Sequence, residues 1–271
     1  MRTYEGLSAA YFLLLAIAAP FTGVDPRRRA LGCVSALAGA LGVWIVSAVG
    51  GGVRDWAPLV CIAAAYWIPA LLVTGNPAHP LIDTRHEGIT GTITRFERWL
   101  LRNDAVLRQH VPSVPGWAVP ALEIAYLACY PLVPLGFLIA SVAGTADDVN
   151  RFWTAVLMSG YTCYGTLPWL QSRPPRVLAP SPDTPHVVAR VNVVALSRFS
   201  HRWNTFPSGH AAMSFAVAAA LAPISTPAAI ATGVVAVGVA IGAAAGRYHY
   251  AIDVLLGGIV AGLAMLVVFG L

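Results

Sequence analysis

The segment from Ala251 to Leu271, "AIDVLLGGIVAGLAMLVVFGL", carries a single charged side chain, Asp253. About 20 consecutive apolar residues cross a bilayer as an α-helix, and runs of this kind recur along the chain. In hydrocarbon every backbone N–H and C=O must be satisfied within the protein, so only helices and closed barrels can span. Alternation with a period of two is missing, and the runs are rich in Ala, Leu, Val and Gly, which excludes a barrel. The fold class expected is therefore all-α, a polytopic membrane helix bundle. Composition agrees, because only 11% of the 271 residues are charged, against about 25% in a soluble domain.

Eight spans can be read, at about 4–22, 30–50, 55–74, 117–143, 150–170, 207–222, 227–246 and 248–271. Residues 4–22, with Arg2 before an apolar core, have the outline of a signal peptide. Further spans follow and no clear cleavage site does, so the segment reads as a span. The fourth span holds Pro131 and Pro134, which predicts a kink, and Glu123 lies near its start. An acid there needs either a partner or a reach to the headgroups.

Two long connections separate these runs. Within residues 75–116, "TITRFERWLLRNDAVLRQH" puts Ile93, Phe96, Leu100 and Leu107 on one helical face. Arg95, Arg98, Arg102 and Arg108 fall mostly elsewhere, the pattern of an amphipathic helix lying on the membrane. A solvated helix packed on the protein's own loops is the plainer reading of the same stretch. The second connection, 172–206, is rich in proline and arginine. The chain thus divides into N-terminal transmembrane helices (1–74), a connection with an interfacial helix (75–116) and a C-terminal helix bundle (117–271).

The net charge of +5 comes from arginine alone, since the chain has no lysine. In a soluble protein such a balance would suggest nucleic acid; here the arginines sit in loops between spans, where they report topology or anionic lipid partners. Cys33, Cys61, Cys129 and Cys163 all fall inside apolar runs without metal-ligand spacing, and read as buried small hydrophobes.

With eight spans, the loops after the fifth and seventh emerge on one face. Three polar signals meet there: Arg173 and Arg176, then Ser208-Gly209-His210, then Arg247, His249 and Asp253. His249 and Asp253 are four residues apart and neighbours on one helix face. A carboxylate so placed takes the proton of one imidazole nitrogen, orients the ring, and leaves the other nitrogen free as nucleophile or base. Without further context it is a pair satisfying itself at a helix end. Pro207 and Ser208 open a helix whose free N–H groups and positive dipole end suit an anion, and Gly209 permits close approach. Ser208 alone is an ordinary N-cap and His210 alone a capped surface histidine; the conjunction points further. The planar fork of arginine suits phosphate, and "RPPR" stiffens the backbone that presents Arg173 and Arg176. Its plain alternative is a positive cytoplasmic loop. Together these parts suit phosphoryl transfer: one imidazole attacks phosphorus, the other protonates the leaving oxygen, and arginines hold the remaining oxygens. No metal or other cofactor is called for, because arginine supplies the positive charge.

"FPSGH", followed after about forty residues by "RYHYAID", resembles the type 2 phosphatidic acid phosphatase superfamily. The likeness covers roughly residues 150–271. It implies a helix-bundle enzyme with His249 as nucleophile, Asp253 orienting it and His210 as general acid. Arg173, Arg176, Ser208, Gly209 and Arg247 would hold the phosphate. Two positions depart from the family pattern: its Lys-x6-Arg-Pro meets Thr166 where lysine is expected, and its last arginine would fall on Ala243. These departures, with "PPR", look more like the inositolphosphoryl transferase branch, whose acceptor is an alcohol.

The expected function is hydrolysis of a lipid phosphate or isoprenyl diphosphate through phosphohistidine, with transfer of a phosphoryl-alcohol between lipids as the alternative. A non-enzymatic lipid-headgroup transporter or scaffold is the competing class; polar groups at span ends rather than the midplane count against it. The expected partners are lipid phosphate and membrane lipids, not nucleic acid, and the expected location is a bacterial plasma membrane. On the active face, "RRR" at 27–29 argues for the cytoplasmic side, whereas the resemblance implies the extracytoplasmic side in bacterial members.

Overall fold

A computed structural model describes residues 1–49, 51–74, 117–178, 194, 200, 201 and 203–270. The amphipathic stretch expected within 75–116 and most of the second connection lie outside the described residues. The elements are helices: α1 (Thr3–Ala18), α2 (Pro26–Val49), α3 (Gly51–Leu71), α4 (Val119–Leu127), α5 (Cys129–Ala143), α6 (Ala146–Gly165), the single turn α7 (Pro175–Leu178), α8 (Gly209–Leu221), α9 (Thr226–Ala245) and α10 (Ala251–Phe269). Among the described residues the sole β feature is an isolated bridge between Ser172 and Asn204.

Counting α4–α5 as one broken pass, the described helices run eight times between two ends of the bundle. Among the described residues four helices (α1 with its short extension, α2, α9 and α10) are long and apolar enough to cross a membrane, and the α4–α5 pair makes five. That pair bends by 50° at Ala128. The cause is local: Pro131 has no N–H to offer, and its ring clashes with the carbonyl four residues back, at Leu127. α6 has a polar start, with Asp147, Asp148, Asn150 and Arg151, and it packs against α1, α3, α5, α8 and α10. Its Phe152, Trp153, Val156 and Leu157 are fully buried. A helix walled in by other helices needs no continuous apolar surface for lipid. α8, only 13 residues long, sits beside it at the centre.

The two ends differ. At one, the start of α1 meets the starts of α3 and α6: Arg54 makes two hydrogen bonds to Glu5, at 2.5 and 2.8 Å, Arg2 pairs with Asp55, and the Thr3 N–H donates to Asn150 at 3.0 Å. At the other, Arg28 donates to the Ala70 carbonyl at the end of α3 (3.2 Å), and Thr74 bonds Gln171 beyond α6 (3.1 Å). Both long connections leave from this second end, so the "RRR" cluster and the two motif loops share a face. All four cysteines are free thiols, Cys129 and Cys163 buried, Cys33 and Cys61 half-buried.

Close packing brings the motif helices together. A Cβ on Gly257 of α10 would lie 2.6 Å from the Ser208 carbonyl, so only glycine allows α10 to run against the start of α8.

Candidate active site

Ser208 caps α8, its side chain accepting from the Ala211 N–H at 3.4 Å. Its own N–H donates to the Asp253 carbonyl at 3.0 Å, which ties the first turn of α8 to the first turn of α10. His210 and His249 consequently face each other, with ring centroids 5.9 Å apart and planes at 80°. His249 is buried and His210 half-buried. The two helix starts thus bring together the histidines that the sequence placed on different spans.

Asp253 is fully buried. Its Oδ2 lies 3.4 Å from His249 Nδ1, accepts the Tyr250 N–H at 3.0 Å and accepts Asn204 Nδ2 at 2.5 Å. With the carboxylate ionised, Nδ1 must be the donor, which leaves Nε2 of His249 unprotonated and available. The Tyr250 bond shows that the acid also caps its own helix. Asn204 is the residue that sequence reasoning missed. It links the loops, donating to Ser172 Oγ at 3.0 Å as well as to Asp253, while its N–H bonds the Ser172 carbonyl at 2.9 Å. Its only signal was an amide side chain standing four residues before the cap.

The arginines reach this end by different routes. The Arg176 guanidinium lies over the Tyr248 ring, 4.6 Å from its centroid, and Arg173 lies over Trp203 at 5.8 Å. The Arg247 carbonyl accepts the Arg176 N–H at 3.2 Å, and the Arg247 side chain donates to the Pro175 carbonyl at 3.4 Å. Arg247 is buried, which lowers its guanidinium pKa. Its φ of 59° is left-handed. The Tyr248 N–H returns to the Ala243 carbonyl and the Arg247 N–H to Ala244, a Schellman ending that usually takes glycine. Arginine here tolerates strain of about 1–2 kcal/mol so that α9 can turn sharply into "YHYAID".

The two departures from the family pattern have structural accounts. Ala243 is fully buried in a small cluster with Tyr126, Ala211, Tyr248 and Val254, where an arginine has no room. Thr166 donates from Oγ1 to the Phe206 carbonyl at 2.7 Å, so a stitch between α6 and the loop before Pro207 stands where the family has lysine. Gly209 also has a packing duty: a Cβ on it would lie 2.3 Å from the Tyr164 ring. Its N–H donates to Thr205 Oγ1 at 3.4 Å.

Aromatic rings enclose the histidines. Tyr126 and Tyr130 each meet the His210 ring edgewise at 5.8 Å. A third histidine, His201, stacks on Tyr66 of α3 at 4.1 Å and 24°, and burial pushes its pKa down to about 4. Among the described residues no group of three His, Cys, Asp or Glu side chains comes together as a metal site.

Residues 149–271 match the PAP2 superfamily. The C-terminal part of this chain belongs to the PAP2 superfamily. No curated protein and no solved structure matches the chain. Membership in this superfamily goes with phosphatase-type enzymes acting on lipid phosphates. The matched segment contains every candidate site residue read from the sequence; α1 to α5 lie outside it.

Proposed function

We propose that this protein is a membrane-embedded phosphohydrolase of a lipid phosphate or isoprenyl diphosphate, working through phosphohistidine. The observation that carries this reading is the facing pair His210 and His249 at 5.9 Å, with buried Asp253 behind His249. His249 Nε2 attacks phosphorus and forms the N–P bond as the P–O bond to the lipid breaks. His210 gives its proton to the departing oxygen. Water then attacks the phosphohistidine, returns a proton to His210 and releases phosphate. Arg173, Arg176 and Arg247, with the backbone N–H of His210 in the first turn of α8, hold the non-bridging oxygens and stabilise the charge that builds on them.

The polar groups of the candidate site lie at one end of the bundle, the end that also carries the "RRR" cluster, which suits a headgroup at an interface better than a cargo crossing the midplane. A bacterial plasma membrane is the proposed location. The test is phosphate release by purified protein in lipid nanodiscs, offered short-chain phosphatidate, farnesyl diphosphate and an inositol phospholipid. Phosphate release by the native protein, lost in His249→Ala, is the expected result. A phosphorylated alcohol as product would make it a transferase. Full activity of His249→Ala on every substrate turned over would refute the mechanism.

A further inference from the structure

Glu123 lies on α4, outside the matched segment, and is only 8% exposed. An acid at this position is costly unless partnered, and it accepts a hydrogen bond from the Tyr248 hydroxyl at 2.5 Å. The Tyr248 ring stands between two other groups. One face stacks on Tyr126 at 4.1 Å with planes at 8°, and the Arg176 guanidinium lies 4.6 Å from the centroid. Tyr126 in turn meets the edge of His210 at 5.8 Å.

We infer that Glu123 and Tyr248 are positioning residues that hold the Arg176 guanidinium flat beside the histidines as an anion clamp. This rests on the proposed phosphate chemistry of the site. The carboxylate draws the phenol proton toward itself, which pushes electron density into the ring and strengthens its hold on a cation. The Arg176 backbone is pinned through its N–H to the Arg247 carbonyl. A guanidinium resting on a ring keeps its in-plane N–H donors directed outward, and among the described residues that of Arg176 meets no carboxylate. A helix outside the matched segment thereby takes part in phosphate binding.

A double-mutant cycle on the full-length protein tests this, with inorganic phosphate affinity measured by calorimetry beside the KM for short-chain phosphatidate. Glu123→Leu should weaken both about tenfold, within the range of a cation–π contact at a desolvated site. In it kcat should move less than threefold, and Glu123→Gln, which keeps an acceptor, should recover much of the loss. In an Arg176→Ala background, Glu123→Leu should add less than a twofold effect, because its target is already gone. If Glu123→Leu does not fold, Tyr248→Phe keeps both ring faces and gives the same readout. Effects that multiply with Arg176→Ala, or a lowered melting temperature with unchanged phosphate affinity, would overturn the inference. Glu123-dependent phosphate binding without turnover would sink the hydrolase reading and leave the clamp standing; absence of phosphate binding in the native protein would sink both.

Discussion

The two ends of this bundle use charge differently. At the end away from the histidines, cations meet carboxylates: Arg54 grips Glu5, Arg2 meets Asp55, and Arg151 pairs with Asp147 at 2.8 Å. At the histidine end, the contacts seen among the described residues put arginines on aromatic rings or against carbonyls, and link the buried acids to a histidine and a tyrosine. Arg176 shows the contrast best, since among the described residues its guanidinium rests on a ring and meets no carboxylate. A cation neutralised by a carboxylate has little left to offer a ligand, whereas one resting on a ring keeps its donors. Among the described residues, ion pairing thus ties the structure together at one end, and the proposed phosphate chemistry would draw on the donors that Arg176 keeps at the other.

Substitutions at the two ends should separate sharply. Asp253→Asn should cost the most, about 10³-fold or more in kcat, because an amide favours the wrong tautomer of His249. The fold should survive, since Asn can still accept from Tyr250; kinetics and a thermal melt on one preparation check both halves. Arg176→Ala should lower kcat/KM about 10- to 100-fold, the cost of losing charge-assisted hydrogen bonds to phosphate, with little change in the melt.

Arg54→Met reverses that pattern. It leaves the buried carboxylate of Glu5 without its guanidinium, held by the Arg2 N–H, and should cost about 2 kcal/mol of stability, with kcat at permissive temperature changed less than threefold. A large activity loss without destabilisation at Arg54 would erase the distinction between the ends.

The smallest effect is expected from His201, whose pKa is pushed down to about 4 by burial. As pH falls below the ordinary histidine value of about 6.5, the unfolded chain takes up a proton that the folded one refuses. Native stability is therefore lost between about pH 6.5 and 4. His201→Phe keeps the stack on Tyr66 and removes the titration, so its melting temperature should fall less over that window.

The sequence carried the fold to the extent that lipid dictates it. Spans such as Ala251–Phe269 are apolar apart from Asp253, so their helices could be read directly, and the His249–Asp253 spacing needed only the helical period. The bend at Ala128 was legible through Pro131, within a few residues. Asn204 was not legible, because its partners Ser172 and Asp253 are 32 and 49 residues distant and depend on how two loops close. Glu123 could be flagged as needing a partner, but Tyr248, 125 residues away, was beyond any local rule. The arginines could be counted as phosphate ligands from sequence, yet the left-handed turn at Arg247 and the ring beneath Arg176 come only from the way α9 ends.

In the proposed mechanism His249 attacks phosphorus. Rapid acid-free quenching of the native protein during turnover of ³²P-labelled short-chain phosphatidate, followed by peptide mapping, tests it most directly. An acid-labile, alkali-stable label on His249 is expected, accumulating in His210→Ala with a substrate that carries a good leaving group. Turnover without label at His249, together with activity retained in His249→Ala, would contradict it.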